Sequence, residues 1–319
     1  MNQISVYRTY SGYLNDKFGE KVYKLPISLQ LTCPNRDGCV GVGGCTFCGE
    51  EGGSFENLSN QLSVKEQIFR NMAYIKKRYK ANKFIAYFQS FSNTYLPLES
   101  FKEYINDAIL EDIVGISIST RPDCISDDFV EFLKDTQEKH NLDITIELGL
   151  QTVNYHSLRR INRGHTLAEF IDAVLRIKKY ELRVCAHLIL NLPWDDMCDV
   201  VENAKVVSAL NVDEIKLHSL YIVEGTRLAY EYKNNQITMI SKDEYIERVI
   251  TFLEHLNPEI VVQRIIGRAP EENTLFVNWQ ESWWKIRDEI VYQMEERETY
   301  QGIKFNYLNG KALKNFNNN

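Results

Sequence analysis

Apolar positions in this chain recur in two rhythms, and the two rhythms alternate. Short apolar runs predict strands at residues 84–88, 113–118, 144–148, 184–190 and 214–217, with Val261 and Val262 marking one more. Between them apolar residues return every three or four positions. That spacing predicts helices at 63–80, 98–110, 127–133, 167–179, 197–210 and 245–256. In the first of these Val64, Ile68, Met72 and Ile75 share a face. In the fifth Val200, Val201, Ala204 and Val207 do. Ahead of them the stretch KLPISLQLT at 24–32 has strand character. Short strands alternating with amphipathic helices are parallel βα units. Six units, counting the strand at 24–32, suggest an α/β fold of the partial (β/α)6-type TIM barrel class. In such barrels the chemistry sits at the C-terminal ends of the strands.

The flanks read differently. Residues 1–24 are aromatic and polar (Tyr7, Tyr10, Tyr13, Phe18, Tyr23) and are expected to pack on the barrel as a lead-in. The barrel is expected over 25–265 and a C-terminal helical extension over 266–319. That extension holds Trp279, Trp283 and Trp284, then a charged helix through Arg297. A Lys/Asn-rich tail at 311–319 is expected to fray. Residues 49–60 read as a Gly- and Glu-rich loop.

Composition narrows the class. The chain has 319 residues, enough for a large core, and its 44% apolar and 25% charged content is that of a globular protein. Its apolar runs are too short to span a bilayer, and no basic stretch followed by an apolar core opens it, so no membrane association is expected. Seven unevenly spaced cysteines argue against a secreted disulfide framework and make the cytoplasm the expected compartment. A net charge of −7 argues against nonspecific nucleic-acid binding but leaves room for a local basic patch. Two candidates stand out: Lys76, Lys77, Arg78 and Lys80 around Tyr79, and Arg159, Arg160 and Arg163. The first reads better as a solvated helix end.

The candidate chemistry lies between the first strand and the first helix. Residues 33–48 read CPNRDGCVGVGGCTFC, so four of the seven cysteines sit on one Gly-rich loop. Thiolates gathered this way hold a soft metal or cluster, or exchange disulfides. Spacing alone leaves three readings open. Zinc usually asks for two C-x-x-C knuckles, and here there is one, Cys45 and Cys48. A thioredoxin-type pair opens a helix directly after a strand, without a long Gly loop before it. An iron–sulfur cluster on three cysteines would leave one iron without a protein ligand.

The residues around the loop change that balance. Cys45-Thr46-Phe47-Cys48 resembles the C-x-φ-C end of the radical S-adenosylmethionine (SAM) motif, and TCPNRDG…GVGGCTFC resembles the YhcC/YtqA-like subfamily of those enzymes. The resemblance recurs in KFGEKVYKLPISLQLTCPNRDG, FIAYFQSFSNTYLP, STRPDCI, ELGLQTVNYHSLRRINRGHT, LILNLP and ETYQGIKF, spanning nearly the whole chain. ELGLQ…NRGH is also similar to the radical-SAM domain of the Elongator catalytic subunit.

The resemblance implies a 4Fe-4S cluster and SAM as cofactors, with Cys33, Cys45 and Cys48 as cluster ligands. Cys39 falls where relatives carry a small hydroxyl residue and is read as a spare thiol. The rival triplet Cys39, Cys45 and Cys48 stays open. For the cofactor site the resemblance points to Phe47, Gln89, Arg121, Glu147, Gln151, Arg163 and Asn191. Relatives of the wider superfamily carry a Gly-Gly-Glu element where this chain has FQSFSN. His187 and His218 are left unassigned, since a lone His in an apolar strand is more often a hydrogen-bonded core residue. Cys185 and Cys198 are read as core. For function the resemblance implies tRNA as substrate, with the wobble uridine side chain converted from carboxymethylaminomethyl to aminomethyl. A flavodoxin- or ferredoxin-type electron donor is implied too. The rival readings are a radical-SAM reaction on a small molecule or protein, and a non-catalytic zinc-binding module.

Overall fold

The computed structural model describes residues 5–49, 57–268 and 273–316. Most of the Gly/Glu-rich loop, at 50–56, and the end of the tail, at 317–319, lie outside the described residues.

The alternation read from the sequence is present. α1 (Tyr10–Phe18) precedes β1 (Val22–Ile27), and the cysteine loop leads to α2 (Val64–Tyr79). Then follow β2 (Lys83–Phe88), α3 (Leu98–Asp107), β3 (Ile113–Thr120), α4 (Asp127–His140), β4 (Asp143–Gln151), α5 (Tyr155–Arg160) and α6 (Leu167–Lys179). The chain continues through β5 (Arg183–Ile189), α7 (Met197–Ala209), β6 (Glu214–His218), β7 (Ile222–Val223), α8 (Arg227–Lys233) and α9 (Lys242–His255). It ends with β8 (Val261–Arg264), β9 (Thr274–Phe276) and α10 (Trp283–Glu296). Seven parallel strands form one curled half-barrel in the order β1-β2-β3-β4-β5-β6-β8. Six of these strands open the six expected βα units, and the seventh, β8, is the strand that Val261 and Val262 mark. β7 and β9 form a separate antiparallel pair.

The strands alternate in chemistry, with Ile85 and Ile189 as apolar exceptions on the inner face, and this sets where the core lies. Ile116, Ile118, Ile144, Ile146, Leu148, Val184 and Leu188 face outward and share a core with Phe101, Ile105, Val130, Leu133 and Phe170 of the surrounding helices. Each such buried side chain contributes ~1.5–3 kcal/mol by leaving water. Polar residues between them point inward, and Lys24, Tyr87, Ser119, Glu147, His187 and Lys216 join in one hydrogen-bond network inside the barrel.

α1 closes the N-terminal end of the half-barrel. Thr9 caps the helix and pairs with Val262 of β8, and Gly19 ends it in the left-handed conformation. The Arg183 guanidinium sits 4.7 Å from the Tyr13 ring centre, and Lys17 pairs with Asp143 at 2.7 Å. At the other flank Ile286, Ile290 and Met294 bring α10 into the main core, and Trp279 donates from Nε1 to the Ile240 carbonyl at 2.7 Å. Lys76 pairs with Asp112, just ahead of β3, at 2.6 Å. The basic run at the end of α2 therefore lies at the end of the barrel opposite the cysteine loop. No helix among the described residues is long and apolar enough to cross a membrane.

Candidate functional site

The cysteine loop crosses the C-terminal ends of the strands and is pinned there by backbone bonds. Arg36 N–H donates to the Cys33 carbonyl at 2.8 Å and Cys48 N–H to the Cys45 carbonyl at 2.9 Å, so each end closes as a turn. Thr46 N–H donates to Ile161 O and Leu228 N–H to Thr46 O, both at 2.9 Å, which ties the C-x-x-C segment to the turn after α5 and to α8. Asn35 locks the other side. Its Nδ2 donates to Asn162 O at 2.6 Å and lies 3.7 Å from Cys45 Sγ. Gly164, at φ +78°, leaves room for it, because a Cβ there would meet Asn35 Oδ1 at 2.6 Å.

Cys33, Cys45 and Cys48 of this loop lie near enough for the first two to act on the charge of the third. Cys45 is buried, and Cys33 and Cys48 are half-buried. Burial raises the Cys48 thiol pKa, and the neighbouring Cys45 and Cys33 raise it further. The guanidinium groups of Arg36 and Arg163 oppose them. Arg163 Nη1 lies 3.6 Å from Cys45 Sγ, and Arg36 Nη2 lies 3.7 Å from Cys48 Sγ. Arg36 also donates to the carbonyls of Cys48, at 3.1 Å, and Gly49, and its guanidinium lies over the Phe91 ring. Cys39 is exposed. Its N–H donates to Asp37 Oδ1 at 3.1 Å. Thiols on one loop with guanidiniums against Cys45 and Cys48 suit a group that takes thiolates and carries net negative charge, as an iron–sulfur cluster does. Three buried polar atoms on the cysteine loop and the 163–165 turn have no hydrogen-bond partner among the described residues: Thr46 Oγ1, Arg163 Nε and His165 Nε2. Left without a partner, each would be costly.

Of the other residues singled out from sequence, some converge on the thiols and some do not. Arg163 is buried, and its Nη2 donates to Gly149 O at 3.1 Å. Arg121 is buried as well. It pairs with Asp123 at 2.6 Å and donates from Nη1 to Arg163 O at 2.8 Å, so it holds the Arg163 turn in place. Gln151 ends β4 at φ +73°, on a register shift against β5, with Nε2 beside Gly149. Gln89 follows β2, half-buried, with its N–H on Ile27 O at 3.1 Å. In the FQSFSN segment Ser90 Oγ meets Ser28 Oγ at 2.7 Å. Phe47 packs into a small apolar cluster with Leu158, Ile189, Leu192 and Leu228. Asn191 spends both ends of its amide on the Leu220 backbone, at 2.6 and 3.3 Å, tying the turn after β5 to the loop after β6.

Glu147 lies deeper. Its carboxylate is shared by Lys24, by Lys216 at 2.6 Å and by His187 at 2.7 Å, with Gln263 at 3.4 Å. The two lysines and His187 drive its pKa well below the usual carboxylate range despite full burial. Glu147, Cys185 and His187 bring three metal-type ligand atoms within 4.8 Å of one another. The two ammonium groups on the same carboxylate make that position unsuited to a cation. Cys185 is buried in this layer, as the sequence suggests. Cys198 is not core: it is exposed in the first turn of α7, where Asp196 caps the helix.

Sequence reasoning passes over Asn35 and Arg36, although both stand directly after Cys33-Pro34. It also passes over Tyr221, whose phenol burial and the nearby Cys48 raise to about 12. His165 is buried ahead of the α6 capping box, and burial with the charges of Arg163 and Arg121 lowers its pKa to about 2. The rim of the mouth carries Tyr155, Arg159 and Arg160 on α5, all exposed. Arg160 lies over the Trp194 ring at 5.1 Å and Arg159 over the Tyr155 ring at 5.7 Å.

Comparison with known proteins gives the same assignment along the chain. Residues 29–207 match the model of the Radical SAM superfamily, and residues 212–296 match that of the Radical_SAM C-terminal domain. The protein YtqA of Bacillus subtilis is 38% identical over 305 residues, covering 95% of this chain and 94% of YtqA. The tRNA uridine(34) acetyltransferase of Methanocaldococcus jannaschii is 28% identical over 208 residues, covering 63% of this chain and 35% of that protein. Among solved structures, Elp3 of Methanocaldococcus infernus superposes with a TM-score of 0.67 at 17% identity, over 88% of this chain and 64% of that one.

Proposed function

The chain belongs to the radical SAM superfamily, and from that premise we propose that it modifies tRNA, converting the wobble uridine side chain from carboxymethylaminomethyl to aminomethyl. The family's cofactors are a 4Fe-4S cluster and SAM. In this reading Cys33, Cys45 and Cys48 hold the cluster, and with SAM bound the pair supplies a 5′-deoxyadenosyl radical. Arg36 and Arg163 direct N–H groups at the cysteine sulfurs, which neutralises charge there. Arg121, through Arg163 O, fixes the turn that carries Arg163. The apolar cluster around Phe47 keeps water from the C-x-x-C side of the site. An electron donor of flavodoxin or ferredoxin type completes the proposal.

The observation that carries the RNA reading is the rim. Arg159 and Arg160 are exposed beside the mouth, have no carboxylate partner among the described residues, and alternate with Tyr155 and Trp194. Cations interleaved with aromatic rings suit a strand of nucleotides, with phosphates on the arginines and bases on the rings. The similarity to a tRNA uridine(34) acetyltransferase supports the same substrate class.

Nucleoside mass spectrometry of tRNA from cells lacking the gene tests the proposal. The expected result is accumulation of 5-carboxymethylaminomethyluridine and loss of the aminomethyl product. Unchanged tRNA nucleosides would refute it.

A further inference from the structure

Beneath the thiols the barrel interior holds more positive than negative charge. Lys24 and Lys216 share the single carboxylate of Glu147, and Glu214 is taken by Arg183 at 2.9 Å. Arg264, at the C-terminal end of β8, forms no ion pair among the described residues. Its Nη2 donates to His218 Nδ1 at 2.7 Å. Its Nη1 makes no hydrogen bond to a described residue, and its Nε is buried without one.

The groups behind Arg264 fix its orientation. A guanidinium only donates, so His218 Nδ1 accepts and His218 Nε2 carries the ring hydrogen. That nitrogen lies 3.3 Å from His187 Nδ1, and His187 Nε2 lies 2.7 Å from Glu147 Oε2. Donation therefore runs one way, from Arg264 through two neutral rings to Glu147. The chain orients the guanidinium without neutralising it. On its near side Gly267 leaves one face bare, since a Cβ there would press on Arg264 Cζ and Nη2 at 3.3 Å. Arg264 closes β8, and the strands of the sheet run parallel, so it stands at the end of the barrel that the cysteine loop crosses.

We propose that Arg264, steadied by His218, is an anion post at the barrel mouth that takes a carboxylate carried by the substrate. A fork with Nη1 unengaged and a spare Nη2 hydrogen matches a carboxylate in two parallel hydrogen bonds. The post deepens the tRNA reading, because a carboxymethylaminomethyl group ends in a carboxylate, and it rests on that reading only for the identity of the substrate. SAM also carries a carboxylate, so the test separates the two sources.

The experiment uses cluster-reconstituted protein under anaerobic conditions. Acetate replaces chloride at constant ionic strength, and the melting temperature is followed. Acetate raises it for the wild type and not for R264Q. No acetate effect on the wild type, or the same effect on R264Q, overturns the post. In a second arm SAM is present, and 5-carboxymethylaminomethyluridine is compared with its methyl ester by calorimetry. The wild type prefers the acid by about tenfold, and R264Q loses that preference. A preference retained in R264Q overturns the assignment. If acetate separates the two proteins while neither nucleoside binds, the post stands and the tRNA reading fails. If bound SAM abolishes the acetate effect and R264Q loses SAM affinity, the carboxylate is SAM's own and the assignment to substrate falls. Should R264Q not fold, R264K keeps the charge without the fork and is expected to show a weakened preference; an undiminished one overturns the post.

Discussion

Arg163 donates from Nη2 to the Gly149 carbonyl at 3.1 Å while its Nη1 reaches toward Cys45 Sγ at 3.6 Å, so one guanidinium joins the end of β4 to the cysteine loop. Gly149 is what makes this reach fit: a Cβ there would collide with Nη2 and sit 2.8 Å from Gln151 Nε2. Gly149→Ala is therefore expected to cost ~1–3 kcal/mol of stability through overpacking, and to push Arg163 off Cys45. Anaerobic unfolding measures the first effect. The second is read as a lower midpoint potential of the reconstituted cluster, because an N–H group directed at sulfur favours the more negative, reduced state. A variant with wild-type stability and potential would show that the close approach does not matter.

The three thiols should behave as a set and Cys39 should not. Cys33→Ala, Cys45→Ala and Cys48→Ala are each expected to lose iron and SAM cleavage, whereas Cys39→Ala, at an exposed position, keeps both. Iron and sulfide analysis beside 5′-deoxyadenosine release is the measurement. A Cys39→Ala protein without iron, beside a Cys33→Ala protein that keeps it, would reverse the ligand assignment.

Much of this architecture is legible in the sequence, for a physical reason. Each strand must bury its outer face against helices, so the apolar rhythm marks β2 to β6 and helices α2, α6, α7 and α9 to within a few residues. α1, α5 and α8 are harder to see, because YSGYLNDKF has little apolar periodicity and the other two are short. The polar lining of the barrel is written in a period of two that is easily passed over: Thr145, Glu147 and Gly149 in β4, Cys185 and His187 in β5, Glu214, Lys216 and His218 in β6. What periodicity cannot give is which of these meet across the barrel. Lys24 and Glu147 are 123 positions apart, and only the curl of the sheet brings them together. Arg36 and Arg163 likewise reach the same group of thiols from two separate loops.

Glu147 is the anion that makes two buried lysines tolerable. Glu147→Gln should destabilise the fold by about 3–5 kcal/mol, because Lys24 and Lys216 then lie buried without a counter-charge. Replacing Glu147 and Lys216 together by methionine should cost less than Glu147→Gln alone. Denaturant midpoints of the variants check the order, and a double variant weaker than the single one would contradict it.

Rim arginines act on binding rather than on folding. Arg159→Ala with Arg160→Ala should weaken tRNA binding and make its dependence on salt shallower by about one to two charges. Altering Lys77 and Lys80, at the far end of the barrel, should leave that slope unchanged. Filter binding at several salt concentrations separates the two ends. Equal slopes for the rim variant and the wild type would remove the rim from the RNA path.

His187 gives the fold an acid limit with a sign that can be worked out. Burial and the charges of Lys216 and Arg264 lower its pKa to about 4, against an ordinary value of 6.5, with Glu147 opposing them. Between those two values the unfolded chain holds the proton and the folded chain does not. Stability therefore rises with pH across the window and is lost as pH falls below the unfolded value. At pH 5 the loss from this one ring is about 2 kcal/mol relative to pH 8. His218, held neutral by burial beside Arg264, adds a loss of the same sign. Glu147 acts lower: its carboxylate is depressed, so its contribution is intact above the ordinary carboxylate range and falls away only below it. The melting temperature should thus fall from pH 7 to pH 5, before Glu147 titrates. His187→Gln, which keeps a donor for Glu147 but cannot take up a proton, should flatten that slope. A wild-type profile flat over the same range would mean that the ring is already charged in the fold, and the one-way chain of donors from Arg264 to Glu147 could not then exist.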